Sequence, residues 1–157
     1  MTDHDDPSRR RYRVLKSLGQ GAFSRVYHAE MIGPEGFSRE VALKFLIPDP
    51  QNDVPLEETQ RRLRDEARIL GLLRHRAVLG VYGLVRLQPG WAVVMEYVPG
   101  VDGSTIVAQG GLPTRVALEV LAEVASALHM ALHRPAPTGD PNNPTQPLRL
   151  VHRDLKP

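Results

Sequence analysis

At 157 residues, the chain is long enough for one modest hydrophobic core, or for one small domain and part of another. Its 20 basic and 18 acidic side chains give a net charge of +2, so no strong electrostatic field favours nucleic acid as a partner. The sequence contains no cysteine, which excludes disulfides, thiolate catalysis and cysteine-based zinc sites.

The amino-terminal residues and the lengths of the apolar runs indicate the cellular compartment of the protein. Residues 1–10 are polar and charged where a secretory signal would need an apolar core, and their composition predicts a disordered tail. No apolar run approaches the roughly 18–20 residues that a membrane span needs. We therefore expect a cytoplasmic protein with no membrane segment in this chain.

Residues 11–98 carry the pattern of a small antiparallel sheet with one helix. Alternation and turn residues predict five strands, and Leu63, Ala67 and Leu70 recur at the spacing of an amphipathic helix. The predicted strands cover residues 11–18, 26–29, 41–47, 79–87 and 91–98, and the predicted helix covers residues 56–73.

Residues 99–157 are predicted to begin a second, helical region after a linker marked by Pro99-Gly100 and Asp102-Gly103. A helix is predicted over residues 114–133, capped by Thr114. Its apolar residues cover nearly the whole circumference, which is typical of a helix buried on several sides, but we expect that nothing else in this chain can surround it. Residues 134–149 hold five prolines and predict an extended, polar insertion.

The glycines at Gly19 and Gly21, followed by Ser24, interrupt the first predicted hairpin. Absent side chains let backbone N–H groups approach an anion, so the turn is similar to a phosphate-binding flap. A flexible hairpin turn explains the same residues equally well. No Gly-Lys-Ser/Thr follows, which excludes a P-loop, and a strand follows where a dinucleotide fold needs a helix.

Lys44 interrupts an otherwise apolar strand, and Glu66 lies on the apolar stripe of the predicted helix. By alternation, Lys44 shares a face with Ala42 and Leu46. Each residue alone could be a solvated charge at the edge of its element. Together they predict an ion pair between helix and sheet, which would stabilise the fold little and would hold an ammonium group in a fixed place.

The last residues, His152-Arg153-Asp154-Leu155-Lys156-Pro157, complete an ordered set of motifs. These motifs are the glycine turn, Val41-Ala42-Leu43-Lys44, Glu66, the Val94-Met95-Glu96-Tyr97-Val98 segment and these last residues. The chain resembles the front part of a eukaryotic-like (bacterial-type) serine/threonine protein kinase, because the motifs follow the order of that family. The resemblance runs from about Tyr12 to the end. It implies an α+β fold, in which a five-stranded N-lobe with one helix precedes a truncated helical C-lobe.

The resemblance also implies roles for individual residues. It implies ATP as the nucleotide and Asp154 and Lys156 as catalytic residues, with Arg153 as a regulatory residue that pairs with a phosphorylated activation loop. Lys156 followed by proline is the serine/threonine-type pattern. The ATP-binding residues that it implies are Leu18, Gly19, Gly21, Ser24, Val26, Ala42, Lys44, Glu66, Met95, Glu96 and Val98.

The family pattern implies Mg²⁺, but it places a metal-binding Asn two residues beyond Pro157 and an Asp-Phe-Gly segment further on. We therefore expect no metal ligand in this chain and no activity from these 157 residues alone. We expect ATP and a protein substrate as partners, and a membrane anchor could follow in a missing C-terminal region. The alternative is a non-catalytic, pseudokinase-like module that binds nucleotide or acts as a scaffold.

Overall fold

The computed structural model describes residues 10–21, 24–46, 56–88, 90–140 and 143–152. The predicted tail at residues 1–9 therefore lies outside the described residues. The elements in chain order are β1 (Arg11–Gln20), β2 (Ser24–Ile32), β3 (Ser38–Leu46), α1 (Leu56–Leu72), β4 (Val81–Arg86), β5 (Trp91–Glu96), α2 (Gly103–Ala108), α3 (Thr114–His133), β6 (Pro135–Asp140) and β7 (Asn143–Pro147).

The first five strands form one antiparallel sheet in the order β1-β2-β3-β5-β4. The predicted fold class, a small five-stranded antiparallel sheet with a helix followed by a helical region, is confirmed. The strand ends differ from the predicted ones by up to three residues, because hydrogen-bonded pairing extends β1, β2 and β3 past the apolar residues that define the pattern.

The two faces of this sheet separate as the alternation predicts. On one face, Val41, Leu43 and Phe45 of β3 are buried together with residues of β2 and β5. On the other face, Leu46 packs against a second cluster built around Val93 and Ala67. Lys44 lies opposite Val93 in the β3–β5 register, so it belongs to this second face, as predicted.

The helix α1 covers the second face, because Ala67 is buried against Val93. Its amphipathic sequence explains the contact, since the stripe that carries Ala67 would otherwise expose apolar carbon to water. The helix ends at Leu72, one residue before the predicted end.

The chain divides into two compact units, and Tyr97 is the last residue of the first. The first unit contains residues 1–71 and 80–97, and the second contains residues 72–79 and 98–157. Residues 72–79, which the sequence analysis placed with the sheet, therefore group with the second unit.

The second unit contains a short helix where a linker was predicted. Asp102 is the N-cap of α2, and its Oδ1 accepts hydrogen bonds from the Thr105 backbone N–H at 2.7 Å and the Ser104 hydroxyl at 2.8 Å. These bonds lower the pKa of the Asp102 carboxyl. Asp102-Gly103 predicts a linker, but aspartate is also a typical residue at the start of a helix.

The helix α3 spans the predicted residues, but the expected cap is wrong. Pro113, not Thr114, occupies the N-cap position, and it makes no side-chain capping bond. As expected for an apolar helix that this chain cannot surround, α3 buries only Ala127 and Ala131 within the described part of the chain, while Leu121 is 62% exposed. Among the described helices, α3 alone is long and apolar enough to cross a membrane. Core helices of soluble proteins can be equally long and apolar, so this property alone does not indicate a membrane span.

The proline-rich insertion is extended, as predicted, and it forms a two-stranded hairpin of β6 and β7. The chain that leaves the hairpin returns along the end of α3. The backbone N–H groups of Arg149 and Leu150 donate to the carbonyls of Leu132 and Ala131, at 3.0 and 3.4 Å. These bonds satisfy carbonyls that a helix end leaves without intrahelical partners, so the insertion closes α3 in place of a terminal glycine.

The segment 72–79 is fastened to α3 by an ion pair. The Arg76 guanidinium donates two hydrogen bonds to Glu123, with 2.6 Å between Nε and Oε2, and His75 Nε2 lies 3.1 Å from the Ser126 hydroxyl. The hydrogen bond and the positive charge of Arg76 lower the pKa of the Glu123 carboxyl.

We expect Glu123→Gln to lower the thermal unfolding midpoint slightly at pH 7. Because the folded-state pKa of Glu123 is depressed, its contribution is present above the ordinary value of 4.5 and is lost as the pH falls through the folded-state pKa. The difference from wild type should therefore shrink as the pH of a series of melts falls below 4.5. Glu119→Gln is the matched control. Glu119 lies one helical turn before Glu123, and its ion pair with Arg115 is exposed to solvent. Equal midpoints of Glu123→Gln and wild type at pH 7 would contradict this expectation.

Candidate functional site

The glycine turn joins β1 to β2. The Gly21 N–H donates to the Ser24 carbonyl at 2.8 Å, and Gln20 lies opposite Arg25 in the strand register. A Cβ at Gly19 would meet no heavy atom within 4 Å, so packing does not require glycine there. The turn therefore joins two antiparallel strands. A phosphate-binding flap and a flexible hairpin turn both require this arrangement. Ala22 and Phe23 lie outside the described residues.

Four predicted ATP-binding residues share one face of the sheet. Val26 lies opposite Lys44 across β2 and β3, and Ala42 lies opposite Met95 across β3 and β5. Residues directly opposite each other in a sheet have side chains on the same face. The structure therefore brings Val26, Ala42, Lys44 and Met95 to one surface. Leu18 falls in the β-bulge between Ser17 and Gly19 and is exposed.

The same face carries the contact between the sheet and α1. Lys44 is half-buried, and Val93 opposite it packs against Ala67 of α1. Glu66 is the residue before Ala67, and its side chain lies outside the described residues. The structure thus places the strand of Lys44 and the helix of Glu66 at one interface, and the predicted ion pair between them stays a prediction.

The segment after Met95 is held by two contacts that sequence reasoning missed. Glu96 exchanges bonds with Gly80: the Glu96 N–H donates to the Gly80 carbonyl at 2.7 Å, and the Gly80 N–H donates to Glu96 Oε2 at 3.0 Å. Tyr97 stacks on His28, with ring centroids 3.8 Å apart and planes 14° apart. His28 lies on β2, two residues after Val26 and on the same face, but no local pattern in the sequence marked it.

The predicted catalytic loop is described only as far as His152, which is exposed. Arg153, Asp154 and Lys156 lie outside the described residues. The structure therefore does not place them relative to Lys44, and their roles stay predictions.

The described residues suit a nucleotide better than a metal ion. Val26, Ala42 and Met95 offer an apolar surface of the kind that an aromatic base packs on, and Lys44 offers a cation beside it. No group of three or more His, Asp or Glu side chains in the described part of the chain lies close enough to hold a metal.

Comparison with known proteins agrees with the geometry. A family model described as "Protein kinase domain" matches residues 12–157. Serine/threonine-protein kinase PrkC of Bacillus subtilis is 34% identical over 148 residues, which cover 94% of this chain and 20% of the relative. The probable serine/threonine-protein kinase PknB of Lactococcus lactis is 29% identical over 150 residues, which cover 94% and 21%.

A third similar protein is named for phosphorylation of tyrosine rather than serine or threonine. Tyrosine-protein kinase MasK of Myxococcus xanthus is 31% identical over 151 residues, which cover 93% of this chain and 22% of that protein. The chain thus spans about a fifth of the length of these relatives.

Proposed function

Because this chain belongs to the protein kinase family, we propose that the natural protein transfers the γ-phosphate of ATP to serine and threonine hydroxyls of other proteins. The observation that carries the proposal is the shared face of Val26, Ala42, Lys44 and Met95. That face combines an apolar surface for a base with one cation for phosphate, on a chain matched by the family model over nearly its whole length.

In the proposed complex, Val26 and Ala42 pack on one side of the adenine ring, with Leu18 beside them. The glycine turn lies over the phosphates, where backbone N–H groups of Gly19 and Gly21 can approach an anion without a side chain in the way. Lys44 binds phosphate oxygens with its ammonium group. Met95 lies behind the adenine ring.

The adenine edge is bound by main chain in this proposal. The carbonyl of Glu96 accepts a hydrogen bond from the base, and the N–H of Val98 donates one. The Glu96 N–H is already bonded to the Gly80 carbonyl, which fixes the peptide that precedes the accepting carbonyl. Recognition through main chain depends on the spacing of these two groups rather than on side-chain identity.

Phosphate transfer itself depends on the carboxyl-terminal loop. Asp154 orients the attacking hydroxyl and accepts its proton, and Lys156 neutralises charge on the transferred phosphoryl group. When bound, Mg²⁺ neutralises the charge that develops between the β- and γ-phosphates. Since the metal-binding residues of the family pattern are not among these 157 residues, we propose that the segment alone does not transfer phosphate.

The choice of serine and threonine over tyrosine rests on Lys156-Pro157 and on the relatives PrkC and PknB, against the tyrosine kinase name of MasK. Phosphoamino acid analysis of the natural protein's products tests this directly. Phosphotyrosine as the main product would contradict the proposed specificity and leave the kinase assignment intact.

We expect Asp154→Asn in the natural protein to lower the rate of phosphate transfer by about 10²–10⁴-fold, the usual contribution of a positioned proton acceptor. ATP affinity should stay within about twofold of wild type, because the proposal places Asp154 at the hydroxyl and not at the nucleotide. The measurement is transfer of labelled phosphate to a general protein substrate, with nucleotide affinity measured in parallel. Turnover retained by the variant would contradict the role of Asp154. Binding of ATP by the wild type without any transfer would favour a non-catalytic nucleotide-binding module.

A further inference from the structure

Tyr97 stands where regular hydrogen bonding of the sheet has ended. The strand β5 ends at Glu96, which pairs with Val41 on one side and is bonded to Gly80 on the other. Val98, the next residue after Tyr97, is 56% exposed. The peptide between Tyr97 and Val98 is therefore not fixed by the ladder that fixes the peptides before it.

The contact that holds Tyr97 comes from His28 on β2. The two rings are stacked nearly parallel at 3.8 Å, and His28 is only 7% exposed. In the strand register His28 lies opposite Ala42, which in turn lies opposite Met95. The imidazole therefore belongs to the face that carries the proposed adenine surface, directly across from Ala42.

A buried imidazole is an unusual choice for this place. The His28 Nε2 lies 3.1 Å from Glu40 Oε1, but this contact lacks hydrogen-bond geometry, and the nitrogen has no hydrogen-bond partner among the described residues. A buried polar atom without a hydrogen bond disfavours folding, and an aliphatic side chain would avoid that penalty. The ring instead offers a flat surface for Tyr97, and the carboxylate of Glu40 lies at its edge.

We propose that His28 is a positioning residue that fixes Tyr97 and thereby the main-chain groups of Glu96 and Val98 that bind adenine. The inference rests on the proposed function, and we call the pair His28 and Tyr97 the hinge stack. The bond from the Glu96 N–H to the Gly80 carbonyl fixes the peptide between Met95 and Glu96, and the hinge stack fixes Tyr97. A binding site ordered before the ligand arrives loses less entropy on binding, so the stack should raise nucleotide affinity without altering the chemical step.

The main test compares His28→Ala, which removes the ring, with His28→Phe, which keeps a flat ring and removes Nε2. We expect His28→Ala to raise the KM for ATP in the natural protein about three- to tenfold, with kcat within twofold, because a stacked ring pair contributes modestly. The KM for ATP of His28→Phe should stay within twofold of that of the wild type. The KM for ATP of Tyr97→Ala should match that of His28→Ala. The KM of the double variant should be no higher than that of either single variant.

The dissociation constant for ADP, measured by displacement of a fluorescent nucleotide, should change in the same proportion. This measurement needs no phosphate transfer, so it tests the hinge stack even if the proposed kinase activity fails. His129→Ala is the control, because the ring of His129 packs on another ring, that of His133 on α3, and its loss should leave both constants unchanged.

Three results would overturn the inference. One is a KM for ATP that His28→Ala leaves unchanged. Another is a loss in kcat equal to the change in KM, which general loosening of the fold would produce. If His28→Ala fails to fold, Tyr97→Ala decides: unchanged ADP affinity in that variant contradicts the hinge stack, and a three- to tenfold loss supports it.

Discussion

Lys44→Met in the natural protein should lower kcat for phosphate transfer by about 10²–10³-fold, the loss seen when one fixed electrostatic contact to a transition state is removed. Methionine keeps the length and apolar stem of the side chain, so packing around half-buried Lys44 should change little. What disappears is the cation beside the apolar face of Val26, Ala42 and Met95. Steady-state phosphate transfer at saturating ATP measures the effect.

The matched control for Lys44→Met is Arg86→Met. Arg86 is also a cation of the same sheet, but it is exposed at the end of β4, and the proposed site does not use it. Its replacement should leave kcat within twofold. Equal losses in the two variants would show that Lys44 acts through net charge or stability, and would contradict its proposed place at the phosphates.

Leu43→Ala should destabilise the first unit by about 2–5 kcal/mol, the range for truncating a fully buried leucine. Leu43 is 0% exposed and lies in the cluster that joins β2, β3 and β5. The substitution leaves a cavity that strands paired on both sides cannot easily fill. Urea unfolding followed by the fluorescence of Trp91, which lies on β5, measures the loss.

Leu15→Ala is the control for this core substitution. Leu15 lies in the β-bulge of β1 and is 47% exposed, so the same change of side chain should cost about 0.5 kcal/mol or less. If both variants unfold at the same urea concentration, the cluster around Leu43 is not the core of this sheet.

The sheet and its two faces could be predicted because each strand satisfies a local rule. Alternation on β3 assigned Lys44 to the face opposite Val41, Leu43 and Phe45, and the strand pairing places it there. Helix α3 could be predicted to the residue, because Pro113 and Pro135 bracket a long apolar periodic segment. In each case the deciding information lies within about 20 neighbouring residues.

The features that the sequence did not reveal depend on contacts between distant residues. The stacking of His28 on Tyr97 joins residues 69 positions apart, and no local pattern distinguishes His28 from any other polar residue on a strand. Closure of α3 by Arg149 and Leu150 needs the hairpin of β6 and β7, which a proline-rich composition does not predict. The predicted cap at Thr114 failed because Pro113 already occupies the position before the helix.

A double-mutant cycle on Lys44 and Glu66 tests the central claim most directly, since that claim is an amine held at the nucleotide by a carboxylate of α1. In the natural protein, Glu66→Gln alone should lower kcat/KM for ATP, and Lys44→Met with Glu66→Gln should be no worse than Lys44→Met alone. The coupling would then exceed about 1 kcal/mol, as expected for residues in contact. Losses that simply multiply, with a coupling below about 0.5 kcal/mol, would show that the two residues act independently and would contradict the account.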